Sequence, residues 1–538
     1  MVLEEQRAKH VWRGAIFLAV AALLTKVMSA AYRIPYQNIA GDLGFYAYQQ
    51  IYPFYGMALT LSIYGFPVVI SKLVSERHAY GDKLGANQIA RTAFYSLSVF
   101  SFVIFISLYM GAGWLAQIMA DPNLTTALKV ISLSFLLIPV LSVLRGYHQG
   151  IENMIPTAVS QVSEQGVRVF VILVLSYLFV INGHGPYAAA IGAAIGSVVG
   201  GLVAIVVLVT FSRKKLLFNQ RTKSAHVNEA MIIKQLFFQG FLICISVLVF
   251  IFFQFIDAMT MIRFLKASGI DAESAKTAKG VFDRGQPLLQ LGTIVATAFS
   301  LALVPMITKA RANGKHHLAR KQGELALRLT VIVAASATAG LIVIIEPTNV
   351  MLYMNNDGSA VLSILAVTIL FSSVVITTSA ILQGLDYVKL PAIHIIIGVF
   401  VKLLLNVIMV PTYGTAGAAV ATVVAFIVVA GLNIWAIVRI DGIEKPKSKR
   451  IFAILLSLVA MVVATLLWKS GLQWLFVTYL GQRWFETVIA LTTVFIATVV
   501  LLLFLLRFEA FSKQELATIP KLKKLTRFFT KDERKDDR

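Results

Sequence analysis

Long apolar runs recur along the whole chain and constrain its fold more than any other feature. The first run, VWRGAIFLAVAALLTKVMSAAYRIPY from Val11 to Tyr36, exceeds the roughly 20 residues that a helix needs to cross a bilayer. Charged residues make up 14% of the sequence, against about 25% in ordinary soluble proteins, and the mean hydropathy is +0.80. Because a membrane span must satisfy its backbone hydrogen bonds internally, these runs predict an all-α polytopic membrane protein.

The charges between the apolar runs predict the orientation of the chain. The sequence has 48 Lys and Arg residues against 26 Asp and Glu residues, and most of the cations fall in alternate connections. The apolar runs predict fourteen spans in a plasma membrane, and because cytoplasmic segments of membrane proteins carry this excess of cations, we expect both termini in the cytoplasm. In a soluble protein the net charge of +22 would favour nucleic acid, but here the positive-inside pattern accounts for it and no nucleic-acid partner is expected.

Three smaller features complete this prediction. The first run lacks a small-residue cleavage site, so we interpret it as a span and not as a signal peptide. The stretch KQELATIPKLKKLTRFFTK, from Lys513 to Lys531, either lies on the anionic inner leaflet or forms a solvated tail. The one cysteine, Cys244, falls in an apolar run, so we expect a buried side chain, no disulfide and no cysteine-based metal site.

Three short motifs recur six spans apart, in the same order and with the same orientation. They are LRGYHQG from Leu144 with LQGLDY from Leu382, GPYAAAIG from Gly185 with GTAGAAVA from Gly414, and PVVISK from Pro67 with PMITK from Pro305. A parallel repeat predicts two pseudo-symmetric six-helix lobes with a substrate site between them near the bilayer midplane. The predicted division is an N-lobe at 1–220, a C-lobe at 221–445, a C-terminal helix pair at 446–510 and a basic cytoplasmic tail at 511–538.

Two cations lie within the first span. Lys26 and Arg33 are nearly two helical turns apart and so share one face, and Pro35 is expected to end or kink the helix. A cation at bilayer depth costs about 2.5–3.5 kcal/mol on insertion scales, so it normally faces protein or water. Either the two cations line a cavity, or Arg33 reaches the interface while Lys26 forms a structural pair.

Five further polar side chains fall inside predicted spans: Glu164, Arg168, Asp257, Lys402 and Asn406. Glu164 and Arg168 have the i,i+4 spacing of an ion pair, so they either neutralise each other or face the cavity as part of a substrate site. Asp257 binds a coupling cation, partners an arginine or lies at the outer interface. Lys402 and Asn406 are one turn apart in an apolar helix, so Lys402 should face protein or water, and Asn406 joins Asp257 as a candidate for ion coupling.

The stretch VFDRGQP, from Val281 to Pro287, is the strongest local signal. Asp283 and Arg284 stand beside Gly285 and Pro287, so charges coincide with an expected break in the eighth helix. Transporters build binding sites at broken helices beside charges. The alternative is an interfacial helix cap.

These features together resemble the MurJ-type lipid II flippases of the multidrug/oligosaccharidyl-lipid/polysaccharide exporter superfamily. TKVMSAAYRIPY from Thr25 and LGFYAYQQIYP from Leu43 are similar to its Gram-positive polysaccharide-synthesis branch, which contains YtgP and SpoVB. The resemblance implies that Lys26, Arg33 and Arg284 bind the pyrophosphate of an undecaprenyl-linked sugar. Two departures from the family are visible. Ile34 stands where the family usually has aspartate after the first-helix arginine, and YPFYGMA from Tyr52 lacks the arginine that proteobacterial members place after the proline.

The resemblance implies a transporter that moves lipid II from the inner to the outer leaflet by alternating access of the two lobes. It needs no cofactor, although a coupling ion or the membrane potential could drive it. We expect a monomer among membrane lipids, with cell-wall synthesis machinery as a candidate partner. The alternatives are a flippase for another polyprenyl-linked repeat unit and a multidrug exporter of the same superfamily. An enzyme is not expected, because the outer connection 259–283 has no Asp-x-Asp pair.

Overall fold

The computed structural model describes residues 2–212, 228–442, 448–479 and 481–508. All regular structure in these ranges is helical, and the predicted basic tail at 511–538 lies outside the described residues. The α-helices are α1 (Val2–Ala31), α2 (Arg33–Thr60), α3 (Phe66–Ala79), α4 (Lys83–Ile118), α5 (Thr125–Ser132), α6 (Ile138–Gly150), α7 (Ile155–Ile181), α8 (Pro186–Ser212), α9 (Glu229–Val247), α10 (Val249–Ala267), α11 (Ala272–Asp283), α12 (Gly285–Gly292), α13 (Ile294–Ala312), α14 (His316–Val343), α15 (Ile345–Tyr353), α16 (Ser359–Gly384), α17 (Lys389–Ile440), α18 (Ser448–Leu475) and α19 (Arg483–Arg507).

The chain divides into two compact units. The first comprises residues 1–331 and 357–442, and the second comprises residues 332–356 and 443–538. The first unit therefore holds the cations and motifs singled out in the sequence. Within the second unit, Ile332, Ala453 and Leu505 form a small core.

Twelve helical stretches of the described residues are long and apolar enough to cross a membrane. Two of them, Phe17–Ala79 and Lys389–Ile440, contain 63 and 52 residues, which exceeds two crossings of about 20 residues each. Each bends sharply at a glycine with positive φ, Gly41 at 68° and Gly414 at 58°. The polytopic all-helical fold is confirmed, whereas the number fourteen stays a prediction.

The recurring motifs pack alike in both halves of the first unit. A Cβ atom added to Gly146 of α6 would lie 2.7 Å from the Cβ of Ile70 in α3. A Cβ atom added to Gly384 of α16 would lie 2.9 Å from the Cβ of Ile307 in α13. The repeated glycines thus mark the same helix–helix contact twice, as expected of small residues at membrane helix interfaces.

Helix boundaries near the cations agree with the sequence. The first helix ends at Ala31, four residues before Pro35, because proline lacks the N–H that would bond to the Ala31 carbonyl. The break predicted beside Asp283 is present, because α11 ends at this residue and α12 begins at Gly285. Cys244 is buried and unpaired with another cysteine, as predicted.

Candidate functional site

Arg33 is a fully buried cation without a hydrogen-bond acceptor among the described residues. It is the first residue of α2, and none of its three guanidinium nitrogens has a partner there. Its Cζ atom lies 4.1 Å from the ring centroid of Tyr52, which also belongs to α2. A cation over an aromatic ring is stabilised by about 0.5–2 kcal/mol, which is less than burial of an unpaired charge costs. Arg33 is therefore enclosed by the protein without a counter-ion among the described residues.

Arg168 in α7 is the second buried guanidinium in this region, and its partners are all neutral. Its Nη2 atom donates to the hydroxyls of Tyr32 and Tyr48 at 2.9 and 2.8 Å. Nη1 donates to Gln165 at 3.2 Å, and Nε donates to Ser197 at 3.3 Å. These neutral acceptors orient the guanidinium but leave its charge uncompensated.

Tyrosine rings connect the two arginines. Arg168 lies 4.1 Å from the ring centroid of Tyr55 and 5.9 Å from that of Tyr52, the ring on which Arg33 stacks. The hydroxyls of Tyr32 and Tyr48 also hydrogen bond to each other. Two cations and a cluster of aromatic rings thus share one buried region of α2 and α7, a feature that no spacing in the sequence revealed.

Glu164 does not neutralise Arg168, so that sequence interpretation is wrong. The Oε2 atom of Glu164 accepts from Nη2 of Arg145 in α6 at 2.6 Å, and both side chains are buried. Arg145 also donates to Ser160 at 3.2 Å and to the Ser62 carbonyl at 3.3 Å. The i,i+4 spacing failed because a fully hydrogen-bonded partner was available on the neighbouring helix.

Lys26 connects α1 with α13. Its ammonium group donates a hydrogen bond to the Thr297 hydroxyl, a contact between the two predicted lobes. The side chain is neither fully buried nor fully exposed, and no carboxylate lies within ion-pair distance among the described residues. Lys26 is therefore a third cation whose charge the protein itself does not neutralise.

Arg284, unlike Arg33, is bound by a carboxylate. Its Nε and Nη2 atoms donate to Oδ1 and Oδ2 of Asp42 in α2 at 2.9 and 2.6 Å. The neighbouring Asp283 accepts from Lys279 at 2.6 Å. The bidentate contact joins the two predicted lobes across 242 residues of sequence.

A second ion pair joins the same two parts of the chain. The ammonium group of Lys276 in α11 lies 2.9 Å from Asp121 and donates to the Tyr187 hydroxyl at 2.9 Å. Asp121 also accepts from Tyr187 and Tyr46, at 2.7 and 3.1 Å. Burial opposes the charge of Lys276, but its hydrogen bonds to Tyr187 and Asp121 raise its pKa above the usual value. Lys276 is consequently charged at neutral pH, and the stability that its hydrogen bonds contribute is lost as the pH rises through that raised pKa.

Asp257, Lys402 and Asn406 form one buried cluster. Oδ1 of Asp257 lies 2.7 Å from Nζ of Lys402 and accepts from Nδ2 of Asn406 at 2.9 Å. Lys402 also donates to the Ala418 carbonyl at 2.9 Å and to the Thr422 hydroxyl at 2.7 Å. Asp257 is thus partnered by a buried lysine on α17, and not by an arginine.

Cations held inside a bundle of helices that are long and apolar enough to cross a membrane, with polar links between the two predicted lobes, are typical of a membrane transporter. The chain belongs to the polysaccharide biosynthesis protein family, whose model matches residues 11–311. It is 37% identical over 527 residues to the uncharacterized membrane protein YabM of Bacillus subtilis (strain 168), covering 97% of each chain.

Two further comparisons bear on the resemblance to MurJ. The chain is 26% identical over 444 residues to the lipid II flippase MurJ of Bacillus subtilis (strain 168), covering 77% of this chain and 80% of that protein. A solved structure of the lipid II flippase MurJ in an inward closed conformation matches with a TM-score of 0.65 at 15% identity. It covers 91% of this chain and 98% of that structure, and the likeness concerns the fold. The predicted family resemblance is confirmed.

Proposed function

We propose that the chain is a flippase that carries the undecaprenyl-pyrophosphate-linked peptidoglycan precursor, lipid II, from the inner to the outer leaflet. The observation that supports this most is the pair of buried guanidinium groups of Arg33 and Arg168, which lie 4.1 and 5.9 Å from the ring centroid of Tyr52. Neither has a carboxylate within ion-pair distance among the described residues, so the region carries at least two uncompensated positive charges. A diphosphate supplies the matching negative charges and oxygen acceptors.

The energetics favour an anionic ligand at this place. A buried charge without a partner costs several kcal/mol, and a hydrogen bond between charged groups contributes about 1.5–3 kcal/mol. A pyrophosphate that accepts from Arg33 would remove the first cost and add the second contribution. Lys26 lies deeper in the predicted topology and supplies a further donor, whereas Arg284 becomes available only when Asp42 releases it.

We further propose the alternating-access cycle and orientation that the sequence predicts. Both termini would be cytoplasmic, and the lobes at 1–220 and 221–445 would rock about the site. Ion coupling through Asp257 and Asn406 would require the coupling ion to compete with the Lys402 ammonium, which already holds Asp257 at 2.7 Å. The membrane potential is the alternative driving force.

The test is translocation of fluorescent lipid II in proteoliposomes that contain the purified chain. We expect lipid II to become accessible in the opposite leaflet at a rate well above that of empty liposomes. Normal insertion without lipid II translocation would contradict the proposal. A second candidate, another polyprenyl-linked repeat unit, is favoured by the family's polysaccharide description, and it would be indicated if deleting the gene made that lipid-linked intermediate accumulate instead.

Asp42→Asn is expected to weaken closure of the outer side. The amide cannot accept hydrogen bonds from both Nε and Nη2 of Arg284 as the charged carboxylate does. If the closed state loses even about 1.4 kcal/mol of stabilisation, the equilibrium constant between closed and open states changes about tenfold. The measurement is modification of Ser29→Cys, one turn after Lys26 in α1, in a Cys244→Ala background, by an impermeant thiol reagent added outside. We expect modification to accelerate by about tenfold.

The matched control for this prediction is Asp82→Asn. Asp82 caps α4 and lies 3.8 Å from Arg77, far along the sequence from the cation site, so its change should not alter modification at position 29. Equal modification rates in the Asp42→Asn and unaltered proteins would show that the Arg284–Asp42 contact does not hold the outer side closed.

A further inference from the structure

Two interrupted helices contact each other near the middle of the predicted membrane. After Thr60, α2 continues as one π-helical turn, Leu61–Gly65, before α3 begins. Opposite it, α9 ends at Val247, Leu248 is not helical, and α10 begins at Val249. Single π turns inside α-helices occur frequently at functional sites, because they bend the helix and leave backbone groups unpaired.

The contact between these helices is unusually close. A Cβ atom added to Gly65 would lie 2.1 Å from Sγ and 3.7 Å from Cβ of Cys244 in α9. A Cβ atom added to Gly240, one turn earlier in α9, would lie 2.9 Å from the ring of Phe66. Further along, a Cβ atom added to Gly56 would lie 2.6 Å from Cδ1 of Ile251. Glycine at three positions therefore allows α2–α3 and α9–α10 to pack along their lengths.

Aromatic side chains surround the contact. The ring centroid of Phe66 lies 5.9 Å from that of Phe100 in α4 and 5.9 Å from that of Phe237 in α9. Phe241 of α9 lies 5.6 Å from Phe100. The aromatic rings pack densely, so separating these helices would forfeit their dispersion contacts.

Two ion pairs between the predicted lobes lie away from this crossing. Arg284 with Asp42, and Lys276 with Asp121, belong to the predicted outer side, where water or an anion can replace either partner. Along α9–α10, Cys244 lies between Lys234 at the predicted inner end and Asp257 towards the outer end. In a rocking motion, displacement is smallest near the middle and largest at the ends.

We infer that the crossing of α2–α3 with α9–α10 at Gly65 and Cys244 is the pivot about which the two lobes rock. This inference rests on the proposed alternating-access function. The helix interruptions on both sides of the crossing let the outer and inner halves of each helix reorient while the contact itself persists. A pivot in this sense differs from a gate, because the residues of a pivot remain in contact throughout the transport cycle, whereas those of a gate must separate.

A disulfide tests this directly. Cβ atoms of disulfide-linked cysteines lie about 3.5–4.5 Å apart, and the 3.7 Å distance at Gly65 falls within that range. Gly65→Cys therefore pairs with the native Cys244, the one cysteine of the sequence. Gly65→Cys with Cys244→Ala is the matched control, because it carries a thiol at the same place and cannot form the bond.

The readout is lipid II translocation in proteoliposomes before and after oxidation, with loss of both thiols verified by mass spectrometry. A pivot predicts that oxidised Gly65→Cys translocates within twofold of its reduced form. A fall below one-tenth after oxidation, restored by a reductant and absent in the control, would overturn the inference, because it would show that the contact must open.

A second measurement separates failure of the pivot from failure of the proposed function. Ketone-bearing amino acids at the exposed positions Asn182 and Ser268 accept spin labels without using thiols. A pivot predicts the same distance distribution between the labels in oxidised and reduced protein, whereas a gate predicts a narrower distribution after oxidation. The distance measurement distinguishes a pivot from a gate even if no polyprenyl-linked substrate is translocated. In that case the proposed function fails and the pivot can still be assessed.

A pair of smaller substitutions decides the matter if Gly65→Cys does not accumulate in the membrane. Gly65→Ala places a methyl group against Sγ of Cys244, and Cys244→Ala removes that sulfur. We expect Gly65→Ala to reduce translocation at least fivefold and the double variant to restore it. A double variant as impaired as the single one would overturn the inference.

Discussion

Arg33→Met is expected to raise the thermal midpoint of the protein in detergent while reducing lipid II translocation by about 10- to 100-fold. The guanidinium is fully buried and has no acceptor among the described residues, so methionine removes an uncompensated charge and keeps much of the volume. The contact with Tyr52 is lost, but its contribution of about 0.5–2 kcal/mol is smaller than the burial cost. Loss of one charged hydrogen-bonded contact to a phosphate, about 1.5–3 kcal/mol, accounts for the slower translocation.

Arg145→Met is the matched control, because it removes an equally buried guanidinium that does have a partner. Glu164 would be left without its 2.6 Å ion pair, so we expect the free energy of unfolding to fall by about 3–5 kcal/mol. The two variants should therefore shift the thermal midpoint in opposite directions. A fall in the midpoint for Arg33→Met, or full translocation by that variant, would contradict the assignment of Arg33 to an anion site.

Breaking the cluster of Asp257 and Lys402 is expected to cause a loss of stability as large as that of Arg145→Met. Asp257→Asn leaves the Lys402 ammonium with neutral acceptors, and Lys402→Met leaves the Asp257 carboxylate without its cation. Each change removes one member of a buried ion pair, so each should lower the free energy of unfolding by about 3–5 kcal/mol. The measurement is thermal or denaturant unfolding of the purified protein in one detergent.

The double variant Asp257→Asn/Lys402→Met should recover most of that loss, because no charge then remains unpaired. Losses that simply add in the double variant would show that the two residues are not energetically coupled. If the stable double variant also translocates lipid II at the unaltered rate, Asp257 is excluded from ion coupling. A stable but inactive double variant would support the coupling role.

The membrane fold follows from the sequence because its cause is local. An apolar run of about 20 residues can bury itself in lipid only as a helix, so the runs predict the helices directly. The break at Arg284 was also predictable, since Gly285 and Pro287 act on their own backbone. The end of the first helix at Ala31 was predictable for the same reason, because Pro35 lacks the N–H that would bond to the Ala31 carbonyl and its ring crowds that carbonyl.

The partners of the charged residues could not be predicted in the same way. Spacing along one helix identifies neighbours only within that helix. The sequence therefore suggests Arg168 as the ion-pair partner of Glu164 and gives no sign of Arg145. Asp42, which binds Arg284 from 242 residues away, stands beside Gly41 in the sequence without any local signal of its partner. Asp121 and Lys276 were missed for the same reason. The tyrosines of α2 carried a usable signal, because their density between Tyr46 and Tyr55 is unusual for a span facing lipid.

The bidentate contact of Arg284 with Asp42 makes outer closure and ligand occupancy thermodynamically reciprocal. The Nε and Nη2 edge of a guanidinium cannot donate to a carboxylate and a phosphate at once, so the two acceptors compete for it. Any change that favours the Asp42 contact by a given factor must reduce phosphate affinity at Arg284 by that same factor. In the proposed cycle, the protein's own carboxylate thus acts as a tethered competitor, and release of the head group is completed when Asp42 returns.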